Sequence, residues 1–411
     1  MSTQSWFAEA KLGVFVHWGI SAVRGIAPPR AYEPGRISHQ EYMEQLRGFT
    51  AARYNPDTWA ELFAHAGARY AVMTAKDRDG IALWDTTSTK RSVATATAAR
   101  TDLVRPFAQS MRRHGLRVGF YFSPSDWSDY PLTTSRPSHP SIPVRESEQV
   151  DPPHDRGLSA NVAARRQARE LVENFRPDLL WLNSSPTDGQ GRSWVTELPN
   201  TFTALNAQTI ITEQLEDHGD HDTPTVATSI VPADGAWQLC YPLDTTNASQ
   251  WTDTHQLALN ELIGVFADTI AAGGNLLLKT SPHEDGTIPP GHFMQLTALG
   301  NWIRRNHDAF HTTTPSLPYG HYDGPSTLSQ DRRTLFLICT RTPPGPITVR
   351  GLHNTVRRAY VLSTGAALSY QVTNGLPAWG IPHVIRIEPP AAPNIIVLEL
   401  KGELDPSQPS A

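Results

Sequence analysis

Asn55–Asp85 reads NPDTWAELFAHAGARYAVMTAKDRDGIALWD, and its two halves carry two different hydrophobic patterns. In Pro56–Ala66, residues Trp59, Leu62, Phe63 and Ala66 fall at i, i+3, i+4 and i+7, so they share one face of a helix. Gly67 supplies a C-terminal stop. Arg69–Ala75 is instead a continuous apolar run, the pattern of a parallel strand covered on both faces. A helix feeding a buried strand that ends in Lys76, Asp77, Arg78, Asp79 and Gly80 is a unit of a parallel α/β protein.

The same alternation continues on both sides. Leu12–Trp18, Leu116–Phe122, Asp178–Leu182, Gln208–Thr212 and Asn275–Lys279 read as buried strands. Asp102–His114, Ala160–Phe175, Val195–Leu205, Gln256–Ala272 and Phe293–Ala309 read as amphipathic helices between and after them. In a chain of 411 residues this predicts an α/β fold, a (β/α)8-type TIM barrel over residues 1–313. After His311 the pattern changes to short strands divided by Pro and Gly, at Thr334–Thr340, Ile347–Arg350, Arg358–Leu362, Val384–Ile387 and Ile395–Leu400. These predict a small C-terminal antiparallel β-sandwich over 314–401, with 402–411 a disordered tail. The Pro-, Ser- and Thr-rich stretch Pro131–Pro153 follows the third strand and reads as a long loop over the barrel mouth.

Composition removes several classes of function. A net charge of −5 provides no basic field, so neither nucleic acid nor an anionic membrane surface is an expected partner. No run of about 20 apolar residues is present to span a bilayer. The start shows no basic segment followed by an apolar core, so the expectation is a cytoplasmic protein. The two cysteines, Cys240 and Cys339, are far apart and read as buried apolar residues, and no metal or cofactor is expected.

Candidate functional residues collect at the strand ends. His17 and Trp18 follow the first strand, and Asp77 and Arg78 follow the second. Tyr121 lies in the third strand, Trp181 and Asn183 close the fourth, and Trp237, Gln238 and Trp251 lie further on. Tryptophans beside hydrogen-bonding side chains suit a small sugar-like ligand, whose C–H face stacks while its hydroxyls need polar partners. Trp84 and Tyr32 are added to that candidate ligand wall. The acidic, His-rich run Glu213–Asp222 could hold a divalent cation but reads better as a solvated loop.

HWGISAV, the Asn55–Asp85 unit, GLRVGFYFSPSDW, DLLWLN, GDHDTP, WQLC and GGNLLLKTSPHEDGTIP occur in this order. Together these blocks resemble the α-L-fucosidase family of glycoside hydrolases over roughly residues 5–315. The resemblance implies a barrel with a C-terminal sandwich and a retaining reaction that uses two carboxyl groups about 5–5.5 Å apart. It places Asn183 where the family has its nucleophilic aspartate, and Thr225 where it has its acid/base glutamate. It also places Gln238 at a family glutamate, Asp77-Arg78 at a sugar-binding pair of histidines, and Arg30-Ala31-Tyr32 at a Glu-Trp-Tyr block.

An amide is a poor nucleophile and a hydroxyl a poor proton donor near neutrality. The expectation is therefore a repurposed barrel enzyme acting on a sugar-containing or cyclic small molecule in specialised metabolism, with Asp77 and Arg78 in its chemistry. The alternatives are a non-catalytic sugar-binding relative, and a glycosidase with relocated carboxylates such as Asp77 with Glu213 or Glu216.

Overall fold

A computed structural model describes residues 5–26, 37–124, 154–183, 209–213, 221–222, 236–244, 257–318, 320–375, 383–388 and 394–406. Its larger layer is a parallel sheet of β1 (Leu12–Val16), β2 (Tyr70–Lys76), β3 (Arg117–Phe122), β4 (Leu179–Leu182), β5 (Ile210–Glu213), β6 (His221–Asp222), β7 (Gln238–Pro242) and β8 (Asn275–Thr280). The strands lie in the order β6-β5-β4-β3-β2-β1-β8-β7.

The sheet curls, but among the described residues β6 and β7 form its two free edges. The described strands form a curled parallel sheet, and closure into an eight-stranded barrel is not shown among the described residues. Residues 223–235, which link those edges, lie outside the described residues, as do the expected helix Val195–Leu205 and the expected loop Pro131–Pro153.

Helices α1 (Ser5–Ala10), α2 (Pro56–His65), α3 (Val104–Arg113), α4 (His154–Phe175), α5 (Leu259–Ala271) and α6 (Pro290–Arg305) flank the strands. Local chemistry sets their ends. The Asn55 side chain accepts hydrogen bonds from the backbone N–H groups of Asp57 and Thr58 at the start of α2, where Pro56 has no N–H to satisfy. Asp102 does the same for Val104 and Arg105 at the start of α3.

Two packed layers follow from strand alternation. Phe15, Tyr70, Val72, Tyr121, Leu179, Trp181, Ile210, Cys240 and Leu277 cluster on the concave face of the sheet. Val14, Val16, Ala71, Met73, Phe120, Leu180 and Leu278 join the helices on the other face. At the strand N-terminal end the concave face is sealed by α1, whose Phe7 carbonyl accepts from the Asn275 amide, and by the Tyr70 hydroxyl, which donates to Gln238 Oε1 at 2.8 Å. Gly13 is required there, because a Cβ at that position would overlap the Tyr70 ring.

The C-terminal strands are β9 (Thr314–Pro315), β10 (Ser326–Leu328), β11 (Thr334–Cys339), β12 (Ile347–Arg350), β13 (Val356–Val361), β14 (Tyr370–Thr373), β15 (Val384–Ile387) and β16 (Asn394–Leu400). They form two antiparallel sheets, β13-β16-β11-β10-β9 and β12-β15-β14. Leu335, Leu337, Ile396 and Leu398 face the smaller sheet, while Phe336, Ile338, Ile395 and Val397 face the larger α/β core. This period of two, apolar on both faces, ties the sandwich to the parallel sheet. Residues 402–406 of the expected disordered tail are placed, and 407–411 lie outside the described residues. Leu404 is buried in the sandwich core, and Leu352 pairs with Pro406.

Candidate active site

The C-terminal ends of β1 to β4 bring together the densest set of expected site residues. His17 follows β1 and Asp77 follows β2, and His17 Nε2 lies 3.1 Å from Asp77 Oδ2. The other Asp77 oxygen accepts the Arg78 backbone N–H at 2.8 Å. A turn fixes this arrangement: the Gly80 N–H donates to the Asp77 carbonyl, and Gly80 takes φ +80, a conformation that costs glycine little. Asp79 is structural, accepting from the Ile81 N–H and the Tyr42 hydroxyl.

Across the site, Arg78 Nη2 donates to Asn183 Oδ1 at 3.5 Å. The Asn183 N–H donates to the Phe122 carbonyl, and its side chain is hydrogen-bonded to the Tyr121 phenol. Beneath these polar groups, Phe15, Tyr121 and Trp181 form an aromatic floor. The ring centres lie 5.4 Å apart for Phe15–Tyr121, 5.0 Å for Phe15–Trp181 and 5.1 Å for Tyr121–Trp181.

Burial pushes the Asp77 carboxyl upward, but the His17 hydrogen bond, the imidazole charge and both Arg78 contacts outweigh it. Asp77 is therefore held below the usual aspartate value and is ionised. Burial, helped by the Asp77 charge, raises the Tyr121 phenol well above its ordinary value, so it stays a neutral hydroxyl.

The β7 and β8 ends add a second titratable group that the sequence reading missed. Lys279 is in phase with concave-facing Leu277, and its charge acts on both Cys240 and Asp244. Burial pushes the Cys240 thiol up to about 12 and raises the Asp244 carboxyl. His292 on α6, 3.7 Å from Asp244 and 3.0 Å from Thr280 Oγ1, is lowered by burial to about 4. The alternation along β8 was the signal that could have found Lys279.

Other expected residues fall elsewhere. The Trp18 indole donates to the His283 carbonyl and packs among Phe49, Tyr54 and Trp59 in the strand–helix layer. Trp84 is fully buried and donates to Glu170 on α4. Trp237 and Gln238 stand at the start of β7, the opposite end of the sheet from Asp77, because parallel strands place their N-terminal residues on the sealed side. Tyr32, Thr225, Trp251 and Glu216, and the Glu213 side chain, lie outside the described residues. Among the described residues, no three His, Cys, Asp or Glu side chains group as metal ligands, and no helix is long and apolar enough to cross a membrane.

A curled parallel sheet with an ionised carboxylate over an aromatic floor at its strand C-terminal ends has the layout of a sugar-processing α/β enzyme. The α-L-fucosidase family model matches residues 1–308, and the chain belongs to that family. Tissue α-L-fucosidase of Mus musculus is 27% identical over 353 residues, spanning 76% of this chain and 72% of the relative. The α-L-fucosidase of Branchiostoma floridae is 26% identical over 345 residues, covering 76% and 73%. The solved α-L-fucosidase isoenzyme 1 of Paenibacillus thiaminolyticus superposes with a TM-score of 0.79 at 24% identity, covering 97% of this chain and 99% of its own.

These matches correct the functional expectation. A family match across the whole parallel-sheet region, with α-L-fucosidases as relatives, overturns the repurposed barrel, the non-catalytic sugar binder and the hydrolase with displaced carboxylates.

Proposed function

We propose that this protein hydrolyses α-L-fucosides, holding a fucose-like sugar over the β1–β4 strand ends. The observation that carries the reading is the ionised Asp77, paired with His17 and flanked by Arg78, above the Phe15–Tyr121–Trp181 floor. Relatives with solved structures support it, since one from Thermotoga maritima was solved in complex with fucose.

The chemistry follows from the groups present. Fucose is a 6-deoxy sugar, so it offers a methyl group and C–H faces to an aromatic floor and hydroxyls to a polar rim. Asp77 accepts hydrogen bonds from those hydroxyls, and Arg78 donates them. Asn183 contributes as a hydrogen-bonding amide, already engaged by Arg78 and Tyr121.

The test is release of nitrophenol from 4-nitrophenyl α-L-fucoside, with L-fucose as a competitive inhibitor. Turnover that free L-fucose suppresses supports the reading. A folded protein that leaves the α-L-fucoside intact overturns it.

A further inference from the structure

Lys279 stands near the end of β8 between two apolar register partners, Phe15 on β1 and Pro242 on β7. Alternation along β8 sets the face it occupies: Leu277 belongs to the concave cluster, whereas Leu276 and Leu278 join the helix-facing core. The charge of Lys279 acts on Cys240, itself a member of the concave cluster, which agrees with that face. Phe15 is part of the aromatic floor, so Lys279 borders the floor directly. The residue is half-buried, and solvent reaches it.

An ammonium group only donates hydrogen bonds, and holding it partly out of water is costly unless an acceptor faces it. Its flanking residues, Phe15 and Pro242, carry no side-chain acceptor. Among the described residues no carboxylate forms an ion pair with it. Asp244, which feels its charge, lies 3.7 Å from His292 instead, and burial raises the Asp244 carboxyl, which weakens its hold on a proton-free, charged form. Asp77 is engaged by His17 and by the Arg78 N–H, and its charge is offset by the Arg78 guanidinium. Lys279 is therefore a positive charge left over beside the floor, in a chain whose net charge is −5.

We propose that Lys279 binds an anionic substituent, a sulfate ester or a carboxylate, on the sugar held over the neighbouring strand ends. This rests on the sugar-binding reading above and narrows its preferred substrates to acidic fucosides. Either oxyanion accepts charge-assisted hydrogen bonds from the ammonium group, and the apolar flanks supply no competing acceptor.

Titration calorimetry of the wild-type protein compares L-fucose with its 2-, 3- and 4-sulfates and with L-galacturonate, which has a carboxylate in place of the fucose methyl. At least one of these acidic sugars is expected to bind about 10-fold more tightly than L-fucose, and the arm that does so identifies the oxyanion. Raising the salt from about 0.05 to about 0.5 M is expected to shrink that preference. Lys279→Met keeps the apolar stem and removes the ammonium group, and the preference is expected to fall to about twofold or less. Lys279→Arg keeps the charge and is expected to retain most of it.

Acidic sugars that bind the wild-type protein no more tightly than L-fucose overturn the proposal and leave the functional reading intact, a result that needs no variant to fold. A preference that survives in folded Lys279→Met also overturns it. Failure of the wild-type protein to bind L-fucose or any of the acidic sugars overturns both readings.

Discussion

His17 Nε2 and Asp77 Oδ2, 3.1 Å apart, join the ends of two adjacent parallel strands that are 60 residues apart in sequence. The pair holds Asp77 ionised at the strand ends of the curled sheet, where on the proposed function it accepts hydrogen bonds from sugar hydroxyls. Asp77→Asn keeps the shape and removes the charge. It is expected to lower kcat/KM toward an aryl α-L-fucoside by about 10- to 100-fold, the loss of charge-assisted hydrogen bonds to sugar hydroxyls. Its melting temperature should stay within a few degrees of wild type, so steady-state kinetics together with a melting curve check the assignment.

Gly13 and Tyr70 test the sealed end of the sheet. A methyl at position 13 would run into the Tyr70 ring, which is fixed by its hydrogen bond to Gln238. Gly13→Ala is expected to destabilise the fold by about 1–3 kcal/mol, the usual effect of overpacking. Urea denaturation reads this as a lower midpoint. Adding Tyr70→Ala should cost less in the Gly13→Ala background than alone, since residues in direct contact couple.

Glu170 on α4 anchors the segment after β2. One carboxylate oxygen takes the Trp84 indole and the Thr86 hydroxyl, and the other takes the Thr87 N–H and hydroxyl. Glu170→Ala leaves four donors without this acceptor and is expected to cost about 2–3 kcal/mol, with Glu170→Gln costing less. Chemical denaturation of both variants checks the order. Trp84 fluorescence should shift to the red in the alanine variant.

His292 gives the stability a pH dependence of defined sign. Its folded pKa, about 4, lies below the ordinary 6.5, so the unfolded chain binds the extra proton between those values. The contribution is complete above pH 6.5 and is lost as pH falls toward 4, by at most about 3 kcal/mol. Asp244, raised by burial, acts with the opposite sign: its contribution is present at low pH and is lost as pH rises through its folded value. His292→Gln isolates the histidine. The drop in urea midpoint between pH 7 and pH 4.5 is expected to shrink in that variant relative to wild type.

Periodicity located β1, β2, β3, β4, β5 and β8 to within a residue or two, because strands buried on both faces are nearly all apolar. β7 was missed, as its QLCYP is short and flanked by segments without pattern. The strand-end cluster was legible at His17, Asp77, Arg78, Tyr121 and Asn183, where polar residues follow apolar runs. It was not legible for Trp18 and Trp84. An indole reads the same beside a pocket as inside a core, and Trp18 and Trp84 are placed by partners distant in sequence, His283 and Glu170.

The amino-acid order by itself determined the parallel α/β plan, the change to antiparallel strands after residue 313 and the polar residues at the strand ends, because hydrophobic period and turn residues are local properties. Only the tertiary structure decided which of those ends meet, that Gln238 faces the sealed end, and that Trp181 and Thr212 lie side by side. Strand pairing sets these distances, and pairing joins residues that no local spacing relates.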